Sequence, residues 1–318
     1  MKKLFSEDFG IANTDQELEK IAEVNPGFSR AYLAISCGVS HKDTKEWIEM
    51  LWEQYNPYAD KNFLVEVKGE SFHQKSWEMY LACTFLNKGF VLEKKSAEGP
   101  DCKIITESGD IVWIEAVAPT AGDKNNKVET IDDILSNYSP GTMVPMGGTI
   151  NKLDEPKILR ITSGIREKFL KYSGYLEKGI IQSNDHYIIA VNGAKFDGWF
   201  RAEELILGAL FGVGNMYFKI DSKIHNIDGP HHQHRPAIIN LNKTPINTNI
   251  FLNEEYKSIN AIIYCGDNII NSPAGKDKIG NNFIFISNPF SSVPENLFNF
   301  GSFWKAEDLE KGSIKKIR

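Results

Sequence analysis

The stretch from residue 76 to residue 117 constrains the fold most strongly, because it places three carboxylates where apolar side chains are expected. Its first part repeats apolar residues at helical spacing, and Glu78 shares a face with the apolar residues three, four and seven positions later. Its last part is an apolar run of strand length that Glu115 interrupts. Asp101 follows Pro100 between these two parts. Glu78 and Glu115 are therefore predicted to point into the protein interior.

Two strands are predicted in this stretch, from Cys102 to Thr106 and from Ile111 to Ala118, and a Gly-Asp pair typical of tight turns separates them. We therefore expect a hairpin that brings Asp101 close to Glu115. Burying several ionised carboxylates together is costly unless a cation joins them. A hard divalent cation, Mg²⁺ or Mn²⁺, is the simplest explanation. The alternative is that Lys or Arg pairs with each glutamate and that Pro-Asp forms only a turn.

These residues resemble the PD-(D/E)xK nuclease superfamily, which includes restriction endonucleases and RecB-like exonucleases. Glu78 stands in the place of the helical glutamate of that family, Pro100-Asp101 in the place of the PD pair, and Glu115-Ala116-Val117 in the place of the ExK segment. The resemblance covers about residues 74 to 193. The sequence departs from the family at Val117, which occupies the position of the family's lysine.

The resemblance implies a metal-dependent nuclease that hydrolyses phosphodiester bonds of DNA or RNA. It implies that Asp101 and Glu115 bind Mg²⁺ or Mn²⁺ with the Ala116 carbonyl, and that Glu78 completes the metal site directly or through water. In the family, the missing lysine helps to orient or activate the attacking water and stabilises charge on the phosphate. The alternative implied by Val117 is an inactive protein of the same fold that binds nucleic acid or protein.

A substitute for the missing lysine is present in a helix that we predict from Lys157 to Tyr172. Lys168 falls on the inward-facing apolar stripe of this helix. Lys168 and Tyr172 together also resemble the QxxxY element of RecB-like nucleases, with Lys in place of Gln. We therefore expect Lys168 to be a catalytic residue. The alternative is that Lys168 extends along the edge of an ordinary amphipathic helix and keeps its ammonium group in solvent.

The alternation of strands and helices predicts an α/β protein, and the resemblance implies a restriction-endonuclease-like mixed sheet flanked by helices. We expect a helical N-terminal extension at residues 1–72, the α/β nuclease core at residues 73–225, and a β-rich C-terminal extension at residues 226–318. In the first segment, Thr14 is predicted to cap one helix and Asp43 to cap another.

A long connection from Ala118 to Lys152 directly follows the Glu115 strand and contains a short acidic helical candidate from Glu129 to Leu135. Long loops inside compact domains are often lids or clamps of functional sites. The position of this loop favours a lid beside the metal. The alternative is a surface insertion without a role in function.

Composition sets the broad class of the protein. The chain has 318 residues, is 42% hydrophobic, and contains no apolar run of the roughly twenty residues that a membrane span needs. These features favour a cytoplasmic protein with no membrane partner. Its four cysteines are scattered without a CxxC pair, which predicts reduced core thiols. The net charge of −6 does not favour nucleic acid binding, but the basic stretch at residues 152–178 can line a local groove.

A second constellation contains His231, His232 and His234 within five residues that begin at Pro230. Three histidines this close can bind Zn²⁺, which would indicate a metal protein that is not a nuclease. Structural zinc sites also recruit distant ligands, and no cysteine pair accompanies these histidines. We therefore favour a loop whose histidines bind backbone groups or a phosphate of the substrate.

Overall fold

The structure is a computed structural model of the chain. It describes residues 2–94, 98–122, 127–130, 133, 154–196, 202–221, 226–269, 278–294, 297, 299–308 and 313–316. Within these residues, none of the helices has the length and apolar character needed to cross a membrane.

The chain divides into two compact units, each built from three separate stretches. The first unit consists of Met1–Ala118, Tyr175–His186 and Asn268–Asn281. The second unit consists of Pro119–Gly174, Tyr187–Asp267 and Asn282–Arg318. Each unit combines stretches that are distant in sequence, so its boundaries differ from those of the three consecutive segments predicted from the sequence. The division into those three segments stays a prediction.

Five helices of the first unit precede its strands in the sequence. They are α1 (Asp15–Val24), α2 (Arg30–Cys37), α3 (Lys42–Tyr55), α4 (Phe63–Glu66) and α5 (Phe72–Asn87). Thr14 caps α1 as predicted, because its hydroxyl accepts a hydrogen bond from Glu17 N at 3.2 Å. The predicted cap at Asp43 is wrong, because a 3₁₀ turn at Val39–His41 leads directly into α3 and places Asp43 inside the first helical turn.

The strands of the first unit form an antiparallel sheet in the order β1 (Val91–Glu93), β2 (Cys102–Ile105) and β3 (Ile111–Val117). The predicted hairpin is confirmed, since Cys102 pairs with Ile114 and Ile105 pairs with Ile111. Gly109 lies in the connecting turn with φ of +88°, a conformation that favours glycine. Helix α5 packs against all three strands.

Helix α5 is buried on nearly all sides. Its residues from Lys75 to Phe85 are all buried, including the charged side chains of Lys75 and Glu78. A helix that is apolar around its whole circumference belongs to the interior of a protein. Lys75 and Glu78 are therefore held in the core of the first unit, and the groups that contact them there determine their role.

The second unit contains a mixed sheet. Its strand order is β4 (His186–Asn192), β9 (Ala261–Cys265), β10 (Ile284–Ser287), β11 (Ser302–Asp308) and β12 (Ser313–Lys316). Strands β4 and β9 are parallel, β9 and β10 antiparallel, β10 and β11 parallel, and β11 and β12 antiparallel. The helices are α6 (Glu155–Glu177), which ends in the first unit, and α7 (Ala202–Phe211), which packs against β9. The predicted α/β class is confirmed.

Smaller elements complete the second unit. Two antiparallel ribbons pair β5 (Val213–Asp221) with β6 (Asn226–His234) and β7 (Ala237–Ile239) with β8 (Pro245–Asn247), and 3₁₀ turns lie at Ile250–Leu252 and Glu254–Tyr256. The loop expected for the three histidines is wrong, because they belong to β6. Most of the predicted lid lies outside the described residues, including its helical candidate apart from residues 129, 130 and 133.

The cysteine prediction is confirmed. The free and buried thiols are those of Cys37, Cys83, Cys102 and Cys265. Burial raises the pKa of the Cys83 thiol, which keeps it protonated and unreactive at neutral pH.

A polar network fixes the N-terminal residues to the helices of the first unit. The Tyr32 hydroxyl donates a hydrogen bond to Glu7 Oε2 at 2.5 Å, its oxygen lies 2.9 Å from the Leu4 carbonyl oxygen, and Lys68 forms an ion pair with Glu7. Burial acts to raise the pKa of Glu7, but hydrogen bonds from Lys68 and Tyr32 outweigh this effect, so the pKa is lowered. The carboxylate therefore stabilises the folded state while it is ionised.

We expect this contribution to disappear in acid. A carboxyl group with a lowered folded-state pKa contributes stability above its unfolded pKa of about 4.3, and this contribution is lost as the pH falls through the folded pKa. Glu7→Gln should therefore lower the melting temperature at pH 7, and the difference from wild type should shrink below about pH 4. Glu23→Gln, at an exposed position of α1, is the control. A constant difference between Glu7→Gln and wild type at all pH values would contradict the prediction.

Candidate functional site

Helix α5 and the β2–β3 hairpin carry the predicted carboxylates of the first unit. Helix α5 supplies Glu78, and the hairpin supplies Asp101 and Glu115. Gln74 lies on the same face of α5 as Glu78, because the two are separated by four residues. The arrangement depends on α5 packing directly against β3.

Asp101 lies one residue before β2, opposite the Glu115 position of β3. Cys102 pairs with Ile114, so continuation of this antiparallel register places Asp101 across from Glu115. Asp101 Oδ2 accepts a hydrogen bond from the backbone N–H of Ala116 at 2.8 Å. The structure therefore brings Asp101 to the strand segment of Glu115, as the hairpin prediction requires.

Gln74 makes three hydrogen bonds, and two of them join α5 to the end of β3. Its Nε2 group donates to Glu78 Oε1 at 3.0 Å and to the Ala116 carbonyl at 3.1 Å. Its Oε1 atom accepts from the backbone N–H of Ala118 at 2.8 Å. Sequence reasoning missed Gln74, although its position one helical turn before an inward-facing glutamate was the available signal. The Ala116 carbonyl, predicted as a metal ligand, accepts a hydrogen bond from this side chain.

Glu78 is paired with a lysine on its own helix. Its side chain is buried, and Glu78 Oε2 lies 3.1 Å from Lys75 Nζ. The Lys75 ammonium also lies 2.9 Å from a Glu66 carboxylate oxygen and 3.6 Å from an Asp60 carboxylate oxygen. For Glu78, the structure thus shows the alternative of a lysine partner. Sequence reasoning missed Lys75, and the role of Glu78 as a metal ligand stays a prediction.

Glu115 is buried on β3, and Tyr175 contacts its carboxylate. The Tyr175 hydroxyl donates a hydrogen bond to Glu115 Oε2 at 3.2 Å. Two residues earlier on the strand, Trp113 Nε1 donates to Asp185 Oδ2 at 2.9 Å and anchors the strand within the first unit. The tyrosine of this site is therefore Tyr175, which sequence reasoning did not select.

Lys168 and Tyr172, the residues selected from the sequence, belong to the second unit. Lys168 is buried, and its backbone carbonyl accepts a hydrogen bond from the Tyr187 hydroxyl at 2.8 Å. The ring centroids of Tyr172 and Tyr187 lie 5.1 Å apart. These contacts confirm that Lys168 lies on an inward-facing stripe, and its catalytic role stays a prediction.

Tyr55 is buried in the first unit, and its surroundings change its pKa. Burial raises this pKa well above its usual value, and the nearby Cys102, Glu78 and Asp101 raise it further. Ionisation of Tyr55 would place a further negative charge beside these groups in a poorly solvated environment. Tyr55 therefore remains a neutral phenol.

The predicted ligand atoms are of the chemical type that a hard divalent cation prefers. Asp101 and Glu115 supply carboxylate oxygens and Ala116 supplies a carbonyl oxygen, and Mg²⁺ is commonly bound by one or two carboxylates while it retains several waters. Throughout the part of the chain that the structure describes, no group of three or more His, Cys, Asp or Glu side chains is arranged to hold a metal ion. The same holds for the described histidines of β6.

Comparisons with known proteins add no relative to this picture. No protein-family model matches the chain, and neither a curated protein nor a solved structure matches it. The likeness to PD-(D/E)xK nucleases therefore rests on the sequence pattern alone, which consists of Glu78, Pro100-Asp101, the Glu115-Ala116 segment and the Lys168 and Tyr172 pair.

Proposed function

We propose that this protein is a metal-dependent nuclease that hydrolyses phosphodiester bonds of DNA or RNA. The observation that carries the proposal is the pairing of Asp101 with the Glu115-Ala116 segment, fixed by the 2.8 Å hydrogen bond from Ala116 N to Asp101 Oδ2. Two neighbouring carboxylates repel each other, so burying them in a protein core is unfavourable. The same pair is favourable where a divalent cation binds between them. The restriction-endonuclease-like fold is part of the same proposal.

A backbone N–H and a tyrosine hydroxyl orient the two carboxylates. Ala116 N–H holds Asp101, and the Tyr175 hydroxyl holds Glu115. Such outer contacts fix the direction in which a carboxylate presents its oxygens to a metal. A bound Mg²⁺ or Mn²⁺ would supply a water of lowered pKa and would offset negative charge on the phosphate.

Lys75 places a positive charge beside Glu78 in the first unit. The Lys75 ammonium contacts Glu78, and Lys75 belongs to α5, the helix that Gln74 joins to Ala116. In the proposed site, the Lys75 ammonium offsets part of the negative charge of Glu78. Lys168 as the substitute for the family's lysine is a separate part of the proposal.

A second candidate function is an inactive protein of the same fold that binds nucleic acid or protein. The observation that favours it is Val117, which is buried in the position where the resembled family carries its lysine. An apolar side chain there cannot orient a water or stabilise charge.

A cleavage panel separates the two candidates. Single-stranded and double-stranded DNA and RNA are incubated with wild type, Lys168→Ala and Val117→Lys in Mg²⁺, Mn²⁺ or EDTA. We expect wild type to cleave at least one substrate with metal and none in EDTA. Lys168→Ala should reduce the rate by roughly 10²–10⁴-fold, the scale of a positioned acid, base or charge stabiliser.

The other outcomes of the panel are equally informative. Cleavage that appears only in Val117→Lys would establish the inactive alternative and reject catalysis by Lys168. Absence of cleavage in all three proteins would reject the nuclease. An unchanged rate in Lys168→Ala with an active wild type would leave the nuclease in place and remove Lys168 from its mechanism.

A further inference from the structure

The side-chain amide of Gln74 is bonded at both of its ends within the first unit. Its nitrogen donates to Glu78 at 3.0 Å and to the Ala116 carbonyl at 3.1 Å. Its oxygen accepts from Ala118 N at 2.8 Å. The reverse orientation of the amide would turn its oxygen toward two other oxygens and its nitrogen toward an N–H group. These three partners therefore fix one orientation of the Gln74 amide.

Two side chains bind the backbone of Ala116. Its N–H donates to Asp101 Oδ2 at 2.8 Å, and its carbonyl accepts from Gln74. In an antiparallel pair, the N–H and the carbonyl of one residue face the same neighbouring strand, and continuation of the β2–β3 register places Pro100 opposite Ala116. Proline has no N–H, so Pro100 cannot donate to the Ala116 carbonyl. The proline of the Pro-Asp pair therefore leaves this carbonyl for Gln74.

Two of the predicted ligands of the proposed site meet at one nitrogen. Glu78 Oε1 and the Ala116 carbonyl oxygen both lie within hydrogen-bond distance of Gln74 Nε2. Glu78 belongs to α5 and Ala116 belongs to β3, so this nitrogen joins ligands from two different elements. Gln74 therefore sets the position of the helix oxygen relative to the strand oxygen. A contact within α5, such as that between Lys75 and Glu78, cannot do this.

We propose that Gln74 is a positioning residue, which holds the Glu78 carboxylate and the Ala116 carbonyl in the arrangement that a divalent cation requires. This role rests on the proposed function, because it presupposes the cation. A carbonyl oxygen has two lone pairs, so the Ala116 carbonyl can accept from Gln74 and still bind a cation. Contacts that orient metal ligands typically contribute about 10–100-fold to metal affinity or activity. Gln74 acts through Glu78 and Ala116 and takes no part in the chemistry itself.

The test is a titration of the full chain with Mn²⁺, in which electron paramagnetic resonance measures the free ion and no cleavage is required. Gln74→Met keeps the unbranched shape of the side chain and removes its hydrogen bonds, so we expect Mn²⁺ affinity to fall by about 10–100-fold. The matched control is Asn288→Leu in the second unit. The buried Asn288 amide has the same bonding pattern, with two bonds donated to carbonyls and one accepted from a backbone N–H. This control should lower the melting temperature and leave Mn²⁺ affinity unchanged.

The remaining outcomes separate the positioning role from the proposed function. Equal Mn²⁺ affinity of wild type and Gln74→Met would overturn the positioning role and leave the nuclease in place. An equal loss of Mn²⁺ affinity in Gln74→Met and Asn288→Leu would also overturn it, because the loss would then follow from general destabilisation. Absence of Mn²⁺ binding by wild type would reject the cation site and the positioning role together. Mn²⁺ binding that depends on Gln74 in a protein that cleaves nothing would support the positioning role and reject the nuclease.

Discussion

Glu115→Gln should reduce metal-dependent cleavage to background while the protein stays folded. The substitution keeps the size of the side chain, and the amide oxygen can still accept the hydrogen bond from the Tyr175 hydroxyl. It removes the negative charge that the proposed cation needs. The expected loss therefore exceeds the roughly 10²–10⁴-fold effect of losing one acid, base or charge stabiliser. Asp101→Asn should behave in the same way, because its amide oxygen can still accept from Ala116 N–H.

The control for this prediction is Tyr175→Phe. This variant keeps the Glu115 charge and removes only the hydroxyl that orients it, so its loss of activity should be about 10–100-fold. Melting temperatures in EDTA complete the comparison. Glu115→Gln should melt at or slightly above the wild-type temperature, because one of two neighbouring carboxylates has been neutralised. A large fall in the melting temperature would instead identify Glu115 as a structural member of an ion pair.

The sequence predicted correctly the part of the site that the β2–β3 hairpin supplies. Apolar run length, the Gly-Asp turn and strand alternation together place Asp101 beside the Glu115 segment, and the structure has this pairing. These signals are local, since each depends on residues within about twenty positions of one another in a single antiparallel pair. The position of Glu78 facing inward was predicted for the same reason, from the spacing along one helix.

The partners of the carboxylates were not predictable from local patterns. Helical spacing shows that Lys75 is near Glu78, but it does not show that α5 is buried on nearly all sides, which is what turns Lys75 inward. Tyr175 was missed because α6 continues past the predicted end at Tyr172 to Glu177. Both errors arise because tertiary packing decides how a helix is covered and where it ends.

The histidine segment shows a different limit of sequence reasoning. The Gly229-Pro230 pair before His231 is a dipeptide typical of turns and loops. In the structure these residues belong to β6 of a two-stranded ribbon. Both strands of such a ribbon are edge strands, and an edge strand accepts proline where its missing N–H faces solvent.

Lys75→Met should destabilise the first unit by about 3–5 kcal/mol, the cost of breaking a buried ion pair by removing one partner. Glu78 would remain buried and would lose the ammonium that lies 3.1 Å from its carboxylate. Methionine keeps the unbranched stem of the side chain, so little packing is lost. The measurement is urea unfolding of wild type and the variant under identical conditions.

A double-mutant cycle tests whether this cost comes from the ion pair. Glu78→Gln in the Lys75→Met background should restore most of the lost stability, because a glutamine oxygen can still accept from Gln74 and carries no charge. The control is Lys257→Met, which breaks an exposed pair with Glu254 and should change stability little. Additive effects of the two core substitutions would contradict the pairing. Because the double variant is expected to fold, its cleavage rate separates any part that Lys75 and Glu78 have in the reaction from their part in stability.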